Sequence, residues 1–274
     1  MRLTCSTLSL YPLTPEAAIE AIAEMGFPAL DLVGIPSLPT PHVDVGRRDP
    51  AELRRLSAAV EAAGVEVASV VTVPSDGLEE WDAAEIDERV GWAVRACGAI
   101  GAGRLVLDAG NPVPGEQVDR ARALTRWRAM FQAAFDKTSA AGISLALEAP
   151  HTGTLAERYD QVVELLTELD RPEVGIDFDT SHVFRSGTSL EEALEIVGDR
   201  LVKIALRDVD SSGEFARPGQ GLVDFRRLFT LLEARGFAGD MVIELETPGI
   251  EDPTDQLREI ELTREFVEGL LAPA

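Results

Sequence analysis

Positive charge is scarce in this chain. Lys plus Arg number 25 against 48 Asp plus Glu, a formal charge of −23 at pH 7. A field of that sign repels phosphate backbones, so nucleic acid is excluded as an expected partner. It also disfavours highly anionic substrates unless a local cationic patch offsets it. Cysteine is nearly absent. Cys5 and Cys97 form neither a disulfide framework nor a C-x-x-C motif, which fits a reduced cytoplasmic setting. No apolar run approaches about 18 residues, so no membrane span is expected. The opening stretch "MRLTCSTLSLYPLTPEAA" lacks the apolar core and small-residue cleavage site of a signal peptide. Aromatic residues make up 5%, which leaves no continuous stacking platform; Trp81 could cap a ligand ring or pack under its own loop. Histidine occurs only at positions 42, 151 and 182.

What the chain does have is a strict alternation of short apolar runs and longer amphipathic ones. The strand candidates are "RLTCSTL", "ALDLVG", "VEVASVV", "RLVLDAG", "ISLALEA", "VGIDFD", "LVKIALRD" and "MVIELE". Between them lie helical patterns such as "TPEAAIEAIAEMG", "DPAELRRLSAAVEAAG", "QVDRARALTRWRAMFQAAFDKTSAAG" and "VDFRRLFTLLEARG". Several begin with a Thr or Asp cap followed by proline, and several end at a glycine suited to a left-handed C-cap (Gly26, Gly64, Gly142, Gly236). Repeated βα units imply a parallel sheet, and eight of them suggest closure. The expectation is a single (β/α)8 TIM-barrel domain over residues 1–274. An open doubly wound sheet ranks behind it, because "STLSLYPLTP" offers no Gly-rich loop after the first strand.

In such a barrel the active residues sit at the C-terminal strand ends. Glu148 ends "LALE", Asp179 ends "IDFD" and Glu244 comes late in "VIELE". Side chains alternate along a strand, so Ala146 shares a face with Glu148, Asp177 with Asp179, and Val242 with Glu244 and Glu246. Closure would bring Glu148, Asp179 and Glu244 together at the mouth. Three close carboxylates call for compensation, and a divalent cation, Mn²⁺ or Mg²⁺, is the expected cofactor. The alternative is ordinary rim carboxylates paired with Arg or Lys. His151 and His182 lie just past strands five and six and could ligate a metal or contact substrate hydroxyls. Asp108, ending "VLD", could accept a substrate hydroxyl or be a plain loop residue.

These segments together resemble the xylose isomerase-like TIM barrels, the sugar phosphate isomerase/epimerase superfamily. "LALEAPH" is similar to that family's strand-five glutamate, and "VGIDFDTSHVFRSG" to its Asp-Thr-x-His segment. "RPGQGLVDF" resembles its P-G-x-G-x-x-D-F loop, and "FAGDMVIELE" its closing F/Y-x-G-x-x-x-x-E motif. The N-terminal half matches in rhythm only. The resemblance implies Glu148, Asp179 and Glu244 as metal ligands, with Glu148 and Glu244 also the acid/base pair. It implies substrate contacts from His182. His151, Arg207 and Asp108 are further candidates for contacting substrate.

One position departs from the pattern. The resemblance places a ligand histidine on strand seven, in His-Leu-Lys-Asp, and the chain reads "ALRD", with Ala205 there and Arg207 and Asp208 following. Three outcomes are open: a metal completed by His182 or water, a protein cation in its place, or loss of catalysis. Lys203 shares the inward face with Ala205, and Asp177 faces it from strand six, so a buried Lys203–Asp177 ion pair is expected. The implied function is a sugar or polyol isomerase/epimerase that removes a proton next to a carbonyl. A lyase or dehydratase working by β-elimination on a keto-sugar or inosose is the alternative. A non-catalytic accessory subunit with a degenerate site is a further one, and endonuclease chemistry is disfavoured by the charge and the few histidines. A homo-oligomer or a partner subunit is compatible with each.

Overall fold

The computed structural model describes residues 1–78, 81–110 and 120–272. Eight parallel strands close into a barrel: β1 (Arg2–Ser6), β2 (Ala29–Gly34), β3 (Glu66–Thr72), β4 (Arg104–Asp108), β5 (Ser144–Glu148), β6 (Gly175–Asp179), β7 (Leu201–Leu206) and, after a two-stranded excursion, β10 (Asp240–Ile243). The excursion is an antiparallel pair, β8 (Asp208–Val209) with β9 (Phe215–Ala216), that begins two residues past the end of β7. Sheet order is β1-β10-β7-β6-β5-β4-β3-β2, so each strand pairs with its sequence neighbours among the eight, and β2 pairs with β1 to close the ring.

The return helices are α1 (Pro15–Glu24), α2 (Pro50–Ala63), α3 (Ala83–Ile100), α4 (Arg120–Ala141), α5 (Tyr159–Leu169), α7 (Leu190–Val197), α8 (Phe225–Ala234) and α9 (Pro253–Leu271), with α6 (Thr180–Arg185) a short turn of helix directly after β6. Gln117, where the α4 pattern was expected to begin, lies outside the described residues. The caps work as the sequence suggests. Thr14 and Asp49 accept backbone N–H groups ahead of Pro15 and Pro50, and Gly26, Gly64, Gly142 and Gly236 all have positive φ. Among the described residues no helix is long and apolar enough to cross a membrane.

The main core lies between sheet and helices, where Leu30, Leu32, Leu105, Leu145, Phe178 and Ile204 pack against Ile19, Ile86, Trp127 and Phe131. Inside the ring a smaller apolar cluster (Val33, Val71, Val106 and Ala146) lines β2 to β5. Charged side chains share the interior: Asp31 on β2, Asp108 on β4, Glu148 on β5, Asp177 and Asp179 on β6, and Lys203 on β7. Trp81 is half-buried against the core and lines an apolar cleft with Ile86 and Val90 of α3 and Met130 of α4.

The loop after β9 is tied to the barrel by one carboxylate. Asp208 accepts N–H groups from Val209, Gly219, Gly221 and Val223, each at 2.9 Å. Backbone can approach that closely only without a side chain. A Cβ on Gly221 would stand 2.4 Å from Asp208 Oδ1 and 2.4 Å from the Val209 carbonyl. Gly221→Ala should therefore cost about 1–3 kcal/mol, lowering the melting temperature by about 2–4 °C per kcal/mol. An unchanged thermal transition would contradict this packing.

Candidate active site at the barrel mouth

Lys203 on β7 and Arg207, one residue past its end, extend into the ring at two heights. Lys203 is 1% exposed, and its Nζ lies 2.7 Å from Asp177 Oδ2 on β6 and 2.7 Å from Asp31 Oδ2 on β2. The expected pair is present, with a third member across the barrel. Burial alone would discharge the lysine, but Asp177 and Asp31 more than offset it and hold its pKa well above the usual range. Asp177 is raised, by burial first, against the pull of Lys203.

Nearer the mouth, Arg207 is 4% exposed. Its Nη1 donates to Asp179 Oδ2 at 3.2 Å and to Glu244 Oε1 at 3.3 Å, and its Nη2 donates to Glu246. Its guanidinium carbon sits 3.9 Å from the centre of the Phe215 ring, contributed by the β8–β9 excursion. A protein cation thus does stand among the strand-end carboxylates, and it is Arg207 rather than Lys203. Ala205, 2% exposed between the two cations, contributes only a methyl group.

Asp179 is also the N-cap of α6. Its Oδ1 accepts the Ser181 N–H at 2.7 Å, the Ser181 hydroxyl at 2.5 Å and the His182 N–H at 3.1 Å. Burial would raise this carboxyl, but the Arg207 guanidinium and these donors hold it well below the ordinary range. Glu244, just past β10, behaves differently. Burial with help from Asp179 and Asp177 pushes it up to about 7, against Arg207 and Lys203. Glu148 rises well above its usual range through burial and its neighbours Asp177, Glu244 and Asp179.

On the other side of the mouth His182 is buried, and among the described residues neither ring nitrogen has a hydrogen-bond partner. Its Nε2 stands 3.8 Å from Glu148 Oε1 and 3.8 Å from Asp179 Oδ2, beyond hydrogen-bond length. Burial drops its pKa to about 3, so the imidazole is neutral at physiological pH. His151 follows the cis Ala149–Pro150 bond and lies ring to ring with His182, centres 4.0 Å apart. Its Nδ1 meets the Thr152 carbonyl at 2.8 Å. A carbonyl only accepts, so Nδ1 carries the proton and Nε2 keeps a lone pair. Glu148, His151 and His182 each offer a ligand atom, all within 4.8 Å of one another. A carboxylate with two neutral imidazoles, one of them orphaned in the interior, is a donor set that fits a divalent metal.

Asp108 ends β4 opposite Glu148 in register and is 2% exposed. Asp31 and Glu246 were not singled out from sequence. Glu246 shares an inward alternation with Glu244, which was a usable signal. Asp31 pairs with Lys203 from the far side of the ring, which strand periodicity does not reveal.

The sequence matches the xylose isomerase-like TIM barrel family over residues 19–266. Among characterised relatives, an inosose dehydratase from Geobacillus thermodenitrificans is 29% identical over 122 residues, 38% of this chain and 41% of that protein. The chain thus spans about two-fifths of the length of the first relatives it matches. An inosose dehydratase from Clostridium perfringens is 24% identical over 245 residues, 77% of this chain and 80% of that protein. Among solved structures, a D-tagatose 3-epimerase-like protein superposes with a TM-score of 0.76 at 19% identity, covering 99% of this chain and 100% of the other. The IolI protein with a bound zinc atom superposes at 0.79 and 16% identity, covering 98% and 99%. Those structures share the fold.

Two outcomes test the electrostatics of the interior. Lys203→Met leaves Asp31 and Asp177 facing each other and should cost about 3–5 kcal/mol in chemical denaturation; a loss under about 1 kcal/mol would show that the aspartates do not depend on it. Burial pushes Asp108 up to about 7, against its hydrogen bond from Gly110. Between a pH of about 4 and about 7 the unfolded chain releases a proton that the folded chain keeps, so this residue makes stability fall as pH rises through that window. Asp108→Asn should remove that part of the slope and melt above the wild type at pH 8. Parallel pH–stability curves would contradict it.

Proposed function

The chain belongs to the xylose isomerase-like TIM barrel family, and from that premise we propose that it removes a proton next to the carbonyl of a keto-sugar or keto-polyol. The observation that carries the reading is the pair Glu148 and Glu244, on strand ends separated by β6 and β7, lining one mouth with neutral imidazoles beside them. Glu244 is the general base: Arg207 fixes Oε1, and a pKa near 7 suits proton transfer at neutral pH. Glu148 exchanges the proton on the other side. His182 and His151 take substrate oxygens or metal, and Asp108 a substrate hydroxyl. A divalent cation at the mouth would polarise the carbonyl and stabilise the enediolate. The carboxylates suit Mn²⁺ or Mg²⁺, and the two imidazoles favour Mn²⁺ or Zn²⁺ over Mg²⁺.

Return of the proton on the opposite face gives epimerisation, and loss of a hydroxyl at the neighbouring carbon gives dehydration. The second outcome has support of its own, because the C. perfringens relative aligned over 77% of the chain is an inosose dehydratase. Incubation with keto-sugars and inososes in deuterated buffer, followed by NMR, should show exchange of the proton α to the carbonyl. Epimer or dehydrated product would tell the two outcomes apart. Glu148→Gln and Glu244→Gln should each slow exchange by about 10²–10⁴-fold at unchanged melting temperature. Undiminished exchange in both variants would sink the mechanism.

A further inference from the structure

The carboxylates of the mouth are not equally free. Both oxygens of Asp179 are committed: Oδ1 caps α6 through Ser181 and His182, and Oδ2 accepts from Arg207. Glu244 gives Oε1 to the same guanidinium, and Glu246 takes the other terminal nitrogen. Phe215 stacks over that guanidinium at 3.9 Å, and the ring of Phe215 is itself faced by Arg185 at 4.0 Å. Arg207 is thus held by three carboxylates and an aromatic face, nearly out of reach of water. A second cation placed between Asp179 and Glu244 would have to displace it and meet its charge.

On the Glu148 side the situation is reversed. Among the described residues no lysine or arginine stands within ion-pair distance of Glu148; its neighbour is His182, with Nε2 at 3.8 Å. His182 has no partner on either nitrogen although it is 2% exposed. A buried unsatisfied imidazole costs free energy unless something binds it. His151, with Nδ1–H on a backbone carbonyl, has the tautomer and orientation seen in metal-ligating histidines.

The geometry points to an internal division of the mouth: Arg207 is the resident cation of Asp179 and Glu244, and a divalent metal ion binds beside it on Glu148, His151 and His182, without Asp179 or Glu244. This rests on the proposed reading of the mouth as a cation-assisted site, and it changes which side chains serve as ligands. Glu148 would give the metal one oxygen and keep the other for proton exchange. Three protein ligands leave at least one position for substrate oxygens or water. Glu244 would remain free of metal, held by Arg207 as an acid/base.

Co²⁺ binding without substrate tests the division. Affinity is measured by competition titration, and coordination is followed by the visible absorption of Co²⁺. The wild type should bind one Co²⁺ per chain. His151→Ala, at a half-buried loop position, should weaken binding by more than about tenfold, whereas Glu244→Gln should change it by less than about threefold and leave the Co²⁺ spectrum in place. Arg207→Met should tighten binding and alter the spectrum as Asp179 and Glu244 are released, with circular dichroism as the folding control. Should that variant fail to fold, the His151 and Glu244 variants decide alone. Equal losses in His151→Ala and Glu244→Gln would overturn the division, as would an unaffected His151 variant or no Co²⁺ bound at millimolar concentration. Binding as described by a chain that exchanges no substrate proton would support the division while contradicting the proposed reaction.

Discussion

A charge can enter the interior of a closed barrel only if a counter-charge enters with it, because isolated burial of an ammonium or carboxylate costs several kcal/mol. In this protein the counter-charges come from one strand. β7 sends Lys203 inward, and Arg207, one residue past its end, stands two levels higher; acidic side chains of β2 and β6 and Glu244 just past β10 surround the two. Val33, Val71, Val106 and Ala146 fill an apolar part of the interior on β2 to β5, strands that also carry Asp31, Asp108 and Glu148. Positive charge is thus supplied unevenly, from the β7 side of the ring.

The asymmetry also sorts the carboxylates chemically. Asp31, Asp177, Asp179, Glu148, Glu244 and Glu246 are six acids around two basic side chains, so a deficit of positive charge remains. Asp179 has the most donors and stays firmly ionised. Glu244 and Glu148 have fewer, and burial raises both. Groups with pKa values pushed apart in one cleft are what acid/base chemistry at neutral pH requires. The same deficit makes the Glu148 side receptive to a divalent ion, and the orphaned His182 stands beside it.

Much of this was legible in the sequence. Eight strands with glycine-ended helices between them pointed to the barrel, because hydrophobic period and cap chemistry are local signals. Strand-end parity placed Glu148, Asp179 and Glu244 on one rim, and the Lys203–Asp177 pair followed from two inward charges on adjacent strands. Asp31 did not follow, because it reaches Lys203 across the ring and not along the sheet. The choice between Lys203 and Arg207 as the cation of the mouth was equally hidden. It depends on side-chain reach and on Phe215, which the β8–β9 excursion brings over the guanidinium.

The central claim is that Arg207 and a divalent ion occupy separate halves of the mouth. Anomalous diffraction at the manganese edge, on crystals grown with Mn²⁺, tests it most directly. The account predicts one strong peak among Glu148, His151 and His182, with Arg207 still bridging Asp179 and Glu244. A peak between Asp179 and Glu244, with the arginine swung away, would contradict it.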